Sequence, residues 1–274
     1  MNVGFIFDSI VLKPLATILV AIYHALSFLG VPYSLGFSII VLTIVIRLFL
    51  YPLITSQLKS SKKMQMLTPH LSRVKERHKG DAKRLQQETM RLYKEHGINP
   101  LAGCLPVLVQ MPVIFGLYNL LQRIVSNGAS QSIAEANKLV FVKDIELTSP
   151  WDLSFFGLPL GKGPSQLLPD FGIVVFLIPI ATGLLQFVMS KMLVNPKPIE
   201  EKMRQSKEDK KEDFATAFQT QSLYIFPAMI GFFSYTFPIG LSLYWNTFTI
   251  FGIIQQYKIL GWGGLQKWKE KIKR

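Results

Sequence analysis

The chain has 274 residues, 49% of them hydrophobic and only 17% charged, with a formal net charge of +13. Soluble domains usually carry about 25% charged residues, so this balance points to a membrane protein whose cations sit in cytoplasmic loops. The single cysteine, Cys104, excludes an intrachain disulfide framework, and neither G-x-x-x-x-G-K-[ST] nor G-x-G-x-x-G occurs to suggest a nucleotide site.

Residues 1–34 form an N-terminal segment containing "KPLATILVAIYHALSFLG". That run could be a signal peptide, an additional span or an in-plane helix. A signal peptide expects a basic start, but this chain begins "MNVGFIFD". Ser9, Lys13, Thr17, His24 and Ser27 recur at roughly helical spacing, which predicts an amphipathic helix lying in the outer interface. Residues 35–56, including "FSIIVLTIVIRLFLYPLI", are the first predicted span.

Residues 57–97 read as a basic helical hairpin. Its first arm is expected to bend at Pro69, which lacks an N–H and crowds the preceding turn. "KGD" makes the turn, Asp81 is the expected N-cap of the second arm, and Gly97 the expected C-cap. Leu71, Val74, Leu85 and Leu92 would pack the two arms together.

Further spans are predicted at 98–125, 171–193, 222–238 and 239–259. They are separated by an extracytoplasmic loop at 126–170 and a cytoplasmic loop at 194–221, and a basic tail follows at 260–274. Five spans with the N-terminus outside put every strongly basic segment in the cytoplasm, where the charge rule wants it.

One residue in the first span does not suit lipid. Thr43, Arg47, Tyr51 and Thr55 are spaced i, i+4, i+8 and i+12 and share one helix face. Arg47 precedes the hairpin by ten residues, about 15 Å along a helix. A charge at mid-membrane costs about 2.5–3.5 kcal/mol on insertion scales. No Asp or Glu lies within a predicted span to pair with it, so a hydrated cavity that attracts negative charge is expected around it.

Other spans carry polar side chains at helical spacing: Gln110, Asn119 and Gln122 in the second, Thr182, Gln186 and Ser190 in the third, Ser242, Trp245, Asn246 and Thr249 in the fifth. Such stripes either line a cavity or bond helix to helix at roughly 0.6–2 kcal/mol each. Pro106, Pro112, Pro179 and Pro227 predict a non-ideal bundle. His24, His70, His78 and His96 are not spaced as metal ligands, and no pair of intramembrane acids exists for aspartyl chemistry. Neither an enzyme nor a cofactor is expected.

"INPLAGCLPVLVQMPVIFGLY", "VIRLFLYPL", "FPIGLSLYW" and "KGDAKRLQQETMRLYKEHG" closely resemble signatures of the YidC/Oxa/Alb membrane protein insertases. The resemblance runs from Phe37 to Tyr257 and implies an all-α fold of five transmembrane helices around a hydrophilic groove, with a cytoplasmic hairpin and an external amphipathic helix. It implies that Arg47, Gln186 and Trp245 line the groove. Thr43, Tyr51, Gln110, Thr182 and Asn246 are the further groove candidates on helical spacing. The chain lacks a lipoprotein-type cysteine and the large extracytoplasmic domain of Gram-negative relatives, so it is similar to the compact bacterial form.

The function expected from the resemblance is insertion of nascent membrane proteins into the plasma membrane without ATP. Implied partners are the nascent chains, the ribosome and membrane lipid, with the Sec translocon and the signal recognition particle pathway as further candidates. A cavity arginine would also suit a small-solute or anion transporter, and a purely structural assembly chaperone is a third reading.

Overall fold

The computed structural model describes residues 3–78, 80–97, 105–125, 128–193 and 214–266. Expectations for 98–104 (with Cys104), for 194–213 and for the tail beyond 266 lie outside the described residues. The chain divides into two compact units. One comprises Met1–Phe49, Val109–Gln186 and Pro227–Phe251; the other comprises Leu50–Leu108, Phe187–Phe226 and Gly252–Arg274.

In the first unit the chain opens with α1 (Val3–Phe7), a π-helical turn (Asp8–Leu12) and α2 (Lys13–Phe28), followed by α3 (Ser34–Phe49). Later come α6 (Leu105–Val125) from Val109 on, α7 (Gly128–Leu139), a small β-hairpin, α8 (Pro164–Phe171) and a 3-10 turn (Gly172–Phe176) leading into α9 (Leu177–Leu193), of which the part to Gln186 belongs here. The last helices are α10 (Phe214–Thr236), from Pro227 on, and α11 (Ile239–Leu260), as far as Phe251. The core of this unit is aliphatic: Leu12, Ala16, Leu19, Leu35, Ile39, Leu42, Leu117, Leu120 and Leu121 are fully or almost fully buried, with Tyr244 among them. Helices approach closely where glycine permits. A Cβ on Gly116 would lie 2.7 Å from Val11 Cγ1, and one on Gly231 would lie 3.3 Å from Gly183 Cα.

The polar stripe of α2 has partners inside the unit. Thr17 Oγ1 accepts from the Phe141 N–H at 3.1 Å, His24 Nε2 meets the Ile145 carbonyl oxygen at 2.8 Å, and Lys13 Nζ lies 5.5 Å above the Phe141 ring. Segment 140–163 therefore takes up side chains that periodicity alone assigns to a membrane interface. The same segment closes the turn between α10 and α11. The Ile239 and Gly240 N–H groups, unsatisfied donors at a helix start, donate to Lys162 O and Leu160 O at 3.0 and 2.8 Å.

An all-α fold was expected, but this segment also holds a two-stranded antiparallel hairpin, β1 (Ser154–Phe155) with β2 (Leu158–Pro159). Its two-residue turn, Phe156–Gly157, has φ of 50° and 80°, the positive pair that a tight hairpin turn demands. Strands of two residues are too short to leave an alternating signal.

In the second unit α4 (Tyr51–Arg77) and α5 (Ala82–Glu95) form the basic hairpin. Asp81 Oδ1 accepts from the Arg84 N–H at 3.0 Å, and Gly97 sits at φ 61° after the helix end. At Pro69, where a bend is expected, α4 continues without a break in the helix. The helix break falls instead at Leu50, before Pro52 at the second position of α4, where a missing N–H costs no helix bond. Leu71, Val74, Leu85 and Leu92 are half-buried, while Lys59, Lys62, Lys63, Arg73, Arg77, Lys83, Arg84, Arg91 and Lys94 are all exposed.

Among the described residues, two helical segments are long and apolar enough to cross a membrane, Gly4–Phe28 and Pro164–Leu193, or three if the pair flanking Leu50 counts as one broken span. Leu223–Thr236 is a shorter apolar helix. The rest of the expected set, α6 and α11, is diluted by Gln110, Asn119 and Gln122 and by Asn246, Gln255 and Gln256. The N-terminal segment, expected to lie in the interface, has the length and composition of a span as well.

Candidate functional site

Helix α11 is apolar on most of its circumference yet carries a polar group toward each neighbour. From α3, Arg47 Nη2 donates to the Phe248 carbonyl oxygen at 2.5 Å. From α6, Gln110 Nε2 donates to the Tyr244 hydroxyl. Trp245 Nε1 donates to Gln186 Oε1 of α9 at 3.3 Å. Ser242 and Ser234 of α10 exchange a hydroxyl bond at 3.0 Å, and Ser234 in turn donates to Thr182 at 3.2 Å. Through these four contacts α11 meets α3, α6, α9 and α10 within the first unit.

Arg47 is the one cation among them. Its side chain is 1% exposed, and its guanidinium carbon lies 3.4 Å from the centroid of the Phe248 ring and 5.9 Å from that of Phe251. No carboxylate pairs with it among the described residues, and Nε is buried with no hydrogen-bond partner. A desolvated cation over an aromatic face gains about 2 kcal/mol, so the ring offsets part of the cost of burial while leaving one donor unused. The sequence predicts a cation among amides and hydroxyls; the structure holds it on an aromatic face and a backbone carbonyl.

The other predicted residues divide clearly. Gln186, 8% exposed, and Trp245 meet each other, and Gln110 meets α11 through Tyr244. Thr43 and Thr182 donate their hydroxyls to carbonyls four residues back, Ile39 O at 2.6 Å and Ile178 O at 2.9 Å. For these two, helical spacing reflects self-satisfaction within a helix. Asn246 keeps a buried Oδ1 without a partner. Tyr51 belongs to the second unit, where its carbonyl and the Thr55 hydroxyl both accept from Gln255 Nε2 at 3.1 Å.

Sequence reasoning missed Phe248, Tyr244, Ser234 and Gln255. Phe248 is four residues from Tyr244 on one face of α11, a spacing indistinguishable from ordinary core aromatics. Gln255 and Gln256, 1% and 2% exposed, each leave a buried atom unpaired. The adjacent pair "QQ" inside an apolar run was the available signal.

Comparison with known proteins gives a family model described as 60Kd inner membrane protein, matching residues 21–262. Among curated relatives, the chain is 34% identical to ALBINO3-like protein 1, chloroplastic, of Arabidopsis thaliana over 93% of its own length and 49% of that protein. It is 34% identical to membrane protein insertase MisCA of Bacillus subtilis, covering 82% of this chain and 70% of the relative. It is 32% identical to membrane protein insertase YidC of Rickettsia conorii, over 87% and 38%. The chain thus spans half or less of the first of these relatives and of the Rickettsia protein. Among solved structures, a YidC insertase crystal structure with its first transmembrane domain resolved shares the fold, with a TM-score of 0.51, 24% identity, and coverage of 86% of this chain and 46% of that one.

Proposed function

The chain belongs to the 60Kd inner membrane protein family, the YidC/Oxa/Alb group, and from that premise we propose that it is a membrane protein insertase. Five spans, with the N-terminus outside and the C-terminus in the cytoplasm of a bacterial cell, enclose a groove to which Arg47, Gln186 and Trp245 contribute, with Thr43, Gln110, Thr182 and Asn246 around them. The work is transfer between solvents; no bond is made or broken and no ATP is consumed.

The observation that carries this reading is a buried guanidinium with no carboxylate beside it among the described residues and with Nε unpartnered. Phe248 keeps the cation in place of an anion. When the short polar tail of a nascent membrane protein enters, its carboxylate replaces the ring and the carbonyl, because it brings a full negative charge to the guanidinium where they bring only partial ones. Nε then gains its partner. The substrate's apolar segment moves past Gln186 and Trp245 into lipid, driven by removal of apolar area from water. A negative tail moving outward against an inside-negative potential gains up to about 2.3 kcal/mol per charge per 100 mV. The exposed cations of α4 and α5 suit the phosphate surface of a ribosome, through contacts that weaken with salt. The Sec translocon and the signal recognition particle pathway are the proposed further partners in delivery.

The test is complementation in cells depleted of their own insertase, using a single-span substrate with an acidic tail. Arg47→Ala should cut insertion at least tenfold and Arg47→Lys should retain most of it, because the role is charge more than a two-pronged fork. Insertion by Arg47→Ala at the wild-type level would overturn the proposal.

A further inference from the structure

The first unit contains a cavity of about 640 Å³ between α6, segment 153–166 and the turn joining α10 to α11. Tyr118, Gln122, Lys162, Gln166, Thr236 and Phe237 are among its lining residues, and none of the lining residues is acidic. It takes no part in the arginine contacts described above.

The walls are fixed by backbone. Lys162 O and Leu160 O accept from the first N–H groups of α11. Gly163 lies so close to the α10–α11 turn that a Cβ there would sit 2.7 Å from Thr236 O. Preformed walls lower the ordering cost of binding.

Lys162 brings an ammonium with no ion pair among the described residues. Gln166 Oε1 already accepts from the Gly163 N–H at 3.1 Å, and its amide nitrogen brings two donors. The Tyr118 hydroxyl has no hydrogen bond among the described residues. A cation with amide and hydroxyl donors and no carboxylate selects an anion rich in acceptor oxygens.

Aromatic rings lead out of the cavity. Tyr118 and Phe237 have centroids 6.4 Å apart, Phe237 stacks on Phe233 at 5.9 Å, and Phe233 meets Phe232 at 6.1 Å. Phe232 is 69% exposed. The row is a continuous apolar track from the polar chamber to the outer surface of the unit, and a free inorganic ion has no use for such a track.

We infer that the cavity and the aromatic row together bind an amphiphile with a phosphate-bearing anionic headgroup, the head on Lys162, Gln166 and Tyr118 and an acyl chain along Phe237, Phe233 and Phe232. The site is distinct from the insertase reading and does not depend on it, since lipid retention is measured without substrate or insertion.

Native mass spectrometry of the full chain released from detergent micelles tests it, with dioleoyl-phosphatidylglycerol and dioleoyl-phosphatidylcholine added in parallel. The wild type should retain one phosphatidylglycerol about fivefold more strongly than phosphatidylcholine, the factor one interfacial lysine contributes. Lys162→Gln should erase that preference and Lys162→Arg should keep it. Lys162 is exposed, so neither change threatens folding. Phe233→Ser should weaken retention of both lipids. Equal retention of the two lipids by the wild type, or an unchanged preference in Lys162→Gln, would overturn the inference. Displacement of phosphatidylglycerol by millimolar inorganic phosphate alone would also overturn it, marking a free-anion site.

Discussion

Segment 140–163 of the first unit and the α4–α5 hairpin of the second are both polar insertions between apolar helices, and they use their polar groups in opposite ways. In the former, hydrogen bonding is directed inward. Trp151 Nε1 donates to Ser132 Oγ at 2.6 Å, Asn137 exchanges two bonds with the Leu147 backbone, and the Phe141, Leu160 and Lys162 backbones bond to α2 and α11. In the hairpin no residue of α5 is buried, and the ion pairs of Arg84 and Arg91 are between neighbours on one exposed helix face or its cap. Where polar groups bond inward the chain is sealed to one conformation; where they point outward a surface is left for something else to bind.

Substitutions that attack the sealed segment should therefore cost stability, and the largest loss should come from backbone crowding. A Cβ on Gly163 would lie 2.7 Å from Thr236 O and 3.0 Å from Phe237 O, and one on Gly36 would lie 2.0 Å from Phe155 Cδ2. Gly163→Ala and Gly36→Ala should each destabilise by about 1–3 kcal/mol, seen as a lower Tm in detergent. Gly4→Ala, with nothing within 4 Å of the new Cβ, should leave Tm unchanged or slightly raised. Next in size is Trp151→Phe, which leaves the buried Ser132 hydroxyl without its donor. A loss of about 1–3 kcal/mol is expected, and Trp151→Phe with Ser132→Ala should lose less than the two single changes combined. Additive losses would mean that the bond does not hold the segment.

The two regions were also unequally legible in the sequence. The hairpin obeys local rules: Asp81 caps α5 and Gly97 ends it because each acts on residues within one turn. Pro52 coincides with the helix break at Leu50, whereas α4 runs through Pro69 without one. Segment 140–163 was unreadable as structure, since the bonds that tie it to α2 join residues more than a hundred positions apart, such as Thr17 with Phe141. The helical spacing of Thr17 and His24 was read correctly as a polar face, but a face does not name what covers it. Arg47 was identifiable as the odd residue because burial of a charge is costly whatever surrounds it. Its holder, Phe248, was not, because an aromatic ring carries no sequence mark that separates packing from cation binding. Gln186 and Trp245 came from family resemblance, and their mutual bond is a fact of the fold.

On the outward-facing side the effects shrink and become local. Asp81→Ala removes the acceptor of the Arg84 N–H and should weaken the start of α5 by about 1 kcal/mol. Amide exchange in its first turn should speed up while the Tm of the first unit's core stays put. A matching fall in that Tm would show that the hairpin is as sealed as segment 140–163.

Arg91 separates stability from surface function most sharply. Its pairs with Glu95 at 2.9 Å and Glu88 at 3.9 Å join side chains with 43–69% exposure, and exposed pairs contribute about 0–1 kcal/mol. Arg91→Gln should leave Tm within error of the wild type. If the hairpin meets ribosomal phosphate, the same change should weaken co-sedimentation with ribosomes at low salt and reduce the slope of log affinity against log salt by about one. The two glutamates already neutralise part of this cation, so Lys83→Gln, on an exposed lysine for which no ion pair is described, should reduce binding more than Arg91→Gln does. The opposite order would mean that the Arg91 pairs open on binding, or that α5 presents a different face to its partner.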